Sequence, residues 1–270
     1  MHYVRVDTAE QAVEEISGGG MPLAGGTVVA PRLSSGLSVR RIVDISRTAE
    51  LDGVVSSEEG TRLGAMCRLD ALTRPLARGG SFTSLMEAAS AVGNPHVRRA
   101  ATLGGNLAVG LPGSDLLPAL LVLDAEMMIA SPEGEHVVPL EEYPGSWRHL
   151  SHLITGIRLP VRRRWRSGFT KYAWRRASGK TIANVAAAVL VDGDVIVEMR
   201  IAAGAFAGEV PRLKRTEETL TGSRLDDDLA EAAAHAAGQE VVWRPGGPAG
   251  ESYCRSCVAS GVRDLLRRLR

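Results

Sequence analysis

The stretch Leu23-Ala24-Gly25-Gly26-Thr27-Val28-Val29, read with a second one further along, Ala101-Thr102-Leu103-Gly104-Gly105-Asn106, decides how this chain is understood. Each is a diglycine flanked by apolar residues, followed at once by a hydroxyl or an amide side chain. Paired glycines expose backbone N–H groups with no β-carbon in the way, which suits the oxygens of a phosphate or diphosphate. Taken singly, either stretch reads as a tight turn, the commonest use of glycine. Taken together, they are able to hold one diphosphate from two sides. Asp115, in the loop after the second pair, offers a carboxylate for ribose hydroxyls, or else a helix cap or a solvated acid.

The rest of the composition is that of an ordinary soluble globular chain. It has 270 residues, 44% hydrophobic and 23% charged, with a formal net charge of +1. That balance carries no bulk field for nucleic acid or an acidic membrane, and aromatics at 4% are too few for rows of base-stacking platforms. The longest apolar stretch, Leu116 to Ala130, is broken by Pro118, Asp124 and Glu126 and is too short for a membrane span. The start of the chain carries acids where a signal peptide needs an apolar run, so a cytoplasmic protein is expected.

The hydrophobic pattern predicts mixed α and β structure. Strands are expected at Tyr3–Val6, Arg41–Ile45, Leu63–Met66 and Ile154–Leu159. A helix capped by a box of Asp7 and Glu10 is expected to bury Ala12, Val13 and Ile16. Further helices are expected at Leu69–Leu76, Phe82–Val92 and Leu116–Leu123. Beyond Pro160 and the run Arg162-Arg163-Arg164-Trp165-Arg166 the pattern changes. Ile182–Val191, Asp192-Gly193 and Val195–Ala203 form a hairpin signal, and helices follow near Asp226–Ala237 and Ser252–Leu269.

Several other signals are weaker. Ser178-Gly179-Lys180-Thr181 ends like a phosphate-binding P-loop, but Trp174 stands where its first glycine is required. Cys254 and Cys257 lack the second pair that a closed zinc site needs, and read as buried thiols. The arginine run reads as a solvated linker, with partner docking or attraction of a nicotinamide's phosphates as the alternatives. His96, His136, His149 and His152 are scattered, without metal-ligand spacing, and Glu141-Glu142 diverge in direction. No metal site is expected.

In order and spacing, LAGGTVVAPRL, NPHVRRAATLGGNLA, SDLLPALLVLDAE, HLITGIRLP and FTKYAWRRASGKTIANVAAAV resemble the FAD-binding medium subunit of the xanthine dehydrogenase and carbon monoxide dehydrogenase family. The resemblance implies an α+β fold. A two-part FAD-binding module related to vanillyl-alcohol oxidase would occupy residues 1–160, split near 57, and an α+β C-terminal domain of antiparallel sheet and helices would occupy 161–270. It implies that Leu23, Ala24, Gly25, Gly26, Thr27, Val28 and Val29 form the first diphosphate loop. Ala101, Thr102, Gly104, Gly105 and Asn106 would form the second, with Asn106 near the flavin. Asp115 matches a contact on the adenosine side of the cofactor, Ile154 an apolar contact to the isoalloxazine ring, and Lys171 a lysine at its pyrimidine edge. Val28 and the run Val109–Gly113 depart from the family pattern.

The implied function is an FAD-binding oxidoreductase component. It would pass electrons between an iron–sulfur and molybdenum partner and a nicotinamide (NAD) or other acceptor. A stand-alone FAD-dependent dehydrogenase or oxidase, and a scaffold that has lost the cofactor, are the alternatives. No catalytic acid or base is named, because the flavin itself carries such chemistry.

Overall fold

The structure is a computed structural model describing residues 1–72, 76, 81–110, 114–143, 151–175, 181–205, 212–243, 245 and 249–270. The chain forms two compact units, and neither is a continuous piece of sequence. The first comprises Met1–Leu72, Pro95–Gly110 and Asp124–Val161; the second comprises Thr73–Asn94, Leu111–Leu123 and Arg162–Arg270. The expected change at residue 160 falls at the last switch between units. The excursions at 73–94 and 111–123 were not legible in advance.

The first unit opens with β1 (His2–Arg5), α1 (Ala9–Ser17), β2 (Met21–Leu23), α2 (Val29–Ser34) and β3 (Arg41–Asp44). The three strands pair in parallel, in the order β1-β3-β2. Helix α1 does have a capping box, but one residue later than expected. Thr8 is the N-cap, its side chain accepting from the Gln11 amide, while the Gln11 side chain accepts from the N–H groups of Asp7 and Thr8. Ala12 and Ile16 are buried in a small core with Val6, Val43, Ile45, Leu51 and Leu153, and Val13 and Ala24 pack against its edge.

The same unit continues with β4 (Val54–Ser56) and β5 (Gly60–Gly64), an antiparallel pair. Residue 57, the expected split, lies in the turn between them, so β4 belongs with the second sheet. Helix α3 (Thr83–Ala91) belongs to the other unit. Then come α4 (Pro95–Ala100) and α5 (Leu103–Val109). After α6 (Leu116–Leu121), again of the other unit, β6 (Glu126–Ser131), β7 (Gly134–Pro139) and β8 (Leu153–Pro160) complete a five-stranded antiparallel sheet in the order β4-β5-β8-β6-β7.

The second unit is built on a three-stranded antiparallel sheet, β9 (Arg166–Ala173), β10 (Thr181–Asp192) and β11 (Val195–Ala205), with β10 in the middle. The expected hairpin joins β10 to β11, with Gly193 at φ +58° in the turn. Helices α7 (Lys214–Leu220), α8 (Asp227–Glu240) and α9 (Glu251–Leu269) follow. Alternate residues of β10, Ala183, Val185, Ala187 and Val189, share a core with Val258, Val262 and Leu265 of α9 and Ala230 and Ala233 of α8. The other face of the sheet meets α3 and α6. Helices thus cover both faces of β10, which is why its run is apolar and alanine-rich rather than alternating.

The expected helix at 69–76 is a turn over its first residues, and most of the remainder lies outside the described residues. The P-loop-like Ser178–Lys180, Leu111–Gly113 and His149 also lie outside them. Arg162 is not solvated as expected of a linker. Its guanidinium stacks 4.2 Å from the Trp165 ring centroid. Burial, with Arg200 and Arg212 close by, lowers its pKa to about 10. Arg163, Arg164 and Arg166 do face water. Among the described residues no helix is long and apolar enough to cross a membrane, and no group of His, Cys, Asp and Glu is placed to hold a metal ion.

Candidate functional site

The two diglycines meet inside the first unit. Strand β2 delivers the chain to Leu23, whose carbonyl accepts from Ile45 N–H at 3.1 Å, and Ala24 packs on the small core. Gly25 then passes so close to the end of α4 that a β-carbon on it would lie 1.8 Å from the Ala100 carbonyl oxygen and 3.1 Å from Ala101 Cα. Gly26 has φ +69°, a left-handed conformation that glycine adopts without strain. Its carbonyl accepts from Ala30 N–H at 3.0 Å, starting α2.

Between these anchors the backbone N–H groups of Gly25, Gly26, Thr27 and Val28 have no hydrogen-bond partner among the described residues. Four successive donors left without acceptors form the kind of concavity that takes an anion. All four residues are half-buried. The four donors fit a diphosphate, while the absent β-carbon of Gly25 is required by the Ala100 backbone.

The second diglycine is different from its expected form. It is the first turn of α5, with Thr102 as N-cap, and its amides are already used. Leu103 N–H donates to Cys67 O at 2.9 Å, Gly104 N–H to Ala65 O at 2.8 Å, Gly105 N–H to Thr102 Oγ1 at 3.2 Å and Asn106 N–H to Thr102 O at 3.0 Å. Gly104 is needed for packing, since its β-carbon would sit 2.6 Å from that of Ala65. A β-carbon on Gly105 would meet only Thr102 Oγ1, at 2.8 Å, and Ala24 Cβ, at 3.9 Å, so the surface left open beside the first bend is that of Gly105. The second pair therefore leaves an open backbone surface at Gly105, while the amides without a partner among the described residues lie in the first bend. Residues 65–69, read from the sequence as the end of a strand and the start of a helix, instead form the turn that stitches α5 in place. Helix α5 packs against β8, which carries Ile154, 6% exposed and opposite Ile129 of β6.

In the second unit Asp115 and Lys171 form a buried ion pair, Nζ to Oδ2 at 2.5 Å, with side chains 5% and 16% exposed. Asp115 Oδ1 accepts from Thr181 Oγ1 at 3.2 Å and Asn184 Nδ2 at 3.1 Å. Lys171 Nζ also donates to Ala91 O, at the end of α3, at 3.1 Å. A cation at a helix C-terminus and an anion at the start of α6 both complement the helix dipoles. Burial pushes the Asp115 carboxyl up, with Lys171, Asn184 and Thr181 opposing it. Asp115, expected on the adenosine side, and Lys171, expected at the pyrimidine edge, thus touch each other directly. Asn184 was missed, although a lone amide within the apolar run Thr181–Val191 was a usable signal.

Comparison with known proteins settles the family. Residues 1–162 match the model of the FAD-binding domain in molybdopterin dehydrogenase, and residues 169–269 match that of the CO dehydrogenase flavoprotein C-terminal domain. The chain belongs to the molybdopterin dehydrogenase FAD-binding family. It is 30% identical over 248 residues to the glyceraldehyde dehydrogenase medium chain of Sulfolobus acidocaldarius, covering 88% of this chain and 87% of that one. It is also 30% identical over 253 residues to the xanthine dehydrogenase FAD-binding subunit of Escherichia coli O157:H7, covering 90% and 86%. A solved carbon monoxide dehydrogenase from Hydrogenophaga pseudoflava has a chain of the same fold, with TM-score 0.91 at 23% identity, covering 100% of this chain and 96% of that one. The α+β fold, the FAD cofactor and the class of FAD-dependent oxidoreductase component, all expected from the resemblance, are those of this family.

Cys254 and Cys257 are buried free thiols, as read from the sequence. Among the other histidines, His96 and His136 are exposed, and His152 Nε2 lies 2.7 Å from the Tyr143 hydroxyl.

Proposed function

We propose that this chain is the flavin-carrying subunit of a dehydrogenase complex. It relays electrons between an iron–sulfur and molybdenum partner and an external acceptor such as NAD. The observation that carries the reading is the run of unpartnered amides from Gly25 to Val28, set against the Ala100–Ala101 backbone. Leu23–Val29 and Ala101–Asn106 hold the diphosphate, with donors from the first stretch and close approach from Gly105. Ile154 contacts the isoalloxazine, and Lys171 donates to its pyrimidine edge with Asp115 as counter-ion. Residues 1–160 act as the cofactor-binding part and 161–270 as the C-terminal domain. A cytoplasmic location fits the three free cysteines.

FAD supplies the redox chemistry, taking up electrons and passing them on. The protein's part is to bind it, orient the ring and set the charge around it. Native co-purification with metal and flavin analysis tests the proposal. It predicts near-equimolar FAD together with iron–sulfur and molybdenum chains. A flavin reduced directly by a small substrate, with no such chains, would establish the stand-alone enzyme instead. Protein that takes up no FAD would leave only the scaffold.

A further inference from the structure

Lys171, Asn184 and Gly204 stand in one row across the three-stranded sheet, each directly opposite the next. Asn184 is fully buried, and every polar atom of its amide is used. Its Nδ2 donates to Ser114 O at 3.0 Å and Asp115 Oδ1 at 3.1 Å, and its Oδ1 accepts from Gly204 N–H at 3.1 Å. The opposite amide orientation would set oxygen against two acceptors and NH2 against a donor, so the orientation is fixed by its neighbours. Asp115, although the N-cap residue of α6, makes no capping bond. Its carboxylate is turned instead to Lys171, Thr181 and Asn184.

With these three donors the carboxylate is largely saturated. Lys171 is not. Two of its three N–H groups serve Asp115 and Ala91, and the third has no partner among the described residues. We propose that Asn184 is a positioning residue, which holds the Asp115 carboxylate ionised and turned onto Lys171 so that the lysine presents its remaining N–H to the flavin. The inference rests on the FAD-binding reading above.

Among the described residues Lys171 is the charged group that faces Asp115. Around it, Glu87 of α3 is engaged by Arg268 and the Phe169 amide, and Glu198 and Arg200 of β11 pair with each other. Arg166 of β9 donates to the chain's last carbonyl, and Asp192 lies exposed at the far end of β10. Loss of the Asn184 donor leaves burial to dominate, and Asp115 then takes up a proton at higher pH. A protonated Asp115 no longer balances the Lys171 charge. That uncompensated cation favours the reduced, more negative flavin.

The test pairs a cofactor-free readout with a flavin readout. In the apoprotein, carbon-13 NMR follows the Asp115 carboxyl, assigned with Asp115→Asn. Asn184→Leu is expected to raise its titration midpoint by about one pH unit or more, the worth of one hydrogen bond to a charge. Asn184→Ser, which keeps a hydroxyl donor, should restore part of the shift. Asn184→Ala, which removes the same donor without adding volume, should move the midpoint the same way and serves if Asn184→Leu does not fold. In FAD-loaded protein, the flavin midpoint potential of Asn184→Leu should become more positive below the raised midpoint, and that of Asp115→Asn at every pH. An unchanged Asp115 titration in Asn184→Leu, or in Asn184→Ala if that variant is used, overturns the proposal. So does a shifted titration with an unmoved flavin potential. Native protein that takes up no FAD overturns the underlying reading, which the apoprotein titration does not depend on.

Discussion

The ammonium of Lys171 and the carboxylate of Asp115 touch at 2.5 Å inside one unit, although they stand 56 positions apart in the chain. Each is the other's buried counter-ion. Removing one alone leaves an uncompensated charge, which typically costs about 3–5 kcal/mol, whereas replacing both with apolar groups is often close to neutral. Lys171→Met is therefore expected to lower apoprotein stability by about that amount, and Lys171→Met combined with Asp115→Leu to recover most of it. Urea unfolding of the two variants checks this, and equal losses in both would contradict it.

Gly25 has no room for a side chain, because the Ala100 carbonyl would lie 1.8 Å from its β-carbon. Relief requires backbone movement at the junction of the two diglycine stretches. Gly25→Ala should cost about 3 kcal/mol, the upper range for overpacking, and abolish flavin retention. Absorbance of the purified protein together with its urea midpoint reads both effects.

Gly105 leads to a separate expectation. Gly105→Val should abolish flavin retention, because the branched side chain fills the wall left open beside Ala24. It also displaces the Thr102 hydroxyl that caps α5. Thr102→Val removes the cap alone and should cost about 1 kcal/mol. A Gly105→Val protein that keeps its FAD, while Thr102→Val shows the expected loss of stability, would count against the wall.

Asp44 governs an acid response. Burial disfavours its charge, but hydrogen bonds from Tyr3 and Ser46, and from Arg5 at 2.9 Å, outweigh burial and hold the carboxyl well below its ordinary range. A depressed folded-state pKa contributes stability that is present above the unfolded value, about 3.9, and lost as pH falls through the folded one. Melting temperature should thus fall as the solution is acidified below about pH 4, and Asp44→Asn should flatten that fall.

The three thiols are expected to be inert in the folded protein. Burial, with Asp52 adding to it, pushes Cys67 up to about 11, and its Sγ lies 3.0 Å from Gly53 O. Burial raises Cys254 and Cys257 as well. Since the thiolate is the reactive form, Ellman's reagent at about pH 8 should label none of the three until denaturant is added, when all should react. Prompt labelling of the native protein would contradict the burial.

Much of this molecule is written in short-range patterns. Asp192-Gly193 marked a hairpin, the spacing of Ala12 and Ile16 marked one face of a helix, and the two diglycines marked two segments that meet in the fold. Each of these signals depends on neighbours a few positions away, so it can be read along a line. Near neighbours still competed over detail: Thr8 and Gln11 took the capping box from Asp7 and Glu10 because the helix began one residue later.

Other features required the chain to fold back on itself. Which amides stay free is a matter of distant acceptors: Ala65 and Cys67 consume those at the start of α5, and among the described residues none consumes those of Gly25 to Val28. The meeting of Asp115, Lys171 and Asn184 joins a helix start to two strands, and the excursions at 73–94 and 111–123 move segments from one unit to the other. Residue types announce which chemistry is available. Hydrogen bonding and burial between remote segments decide which groups are left to perform it.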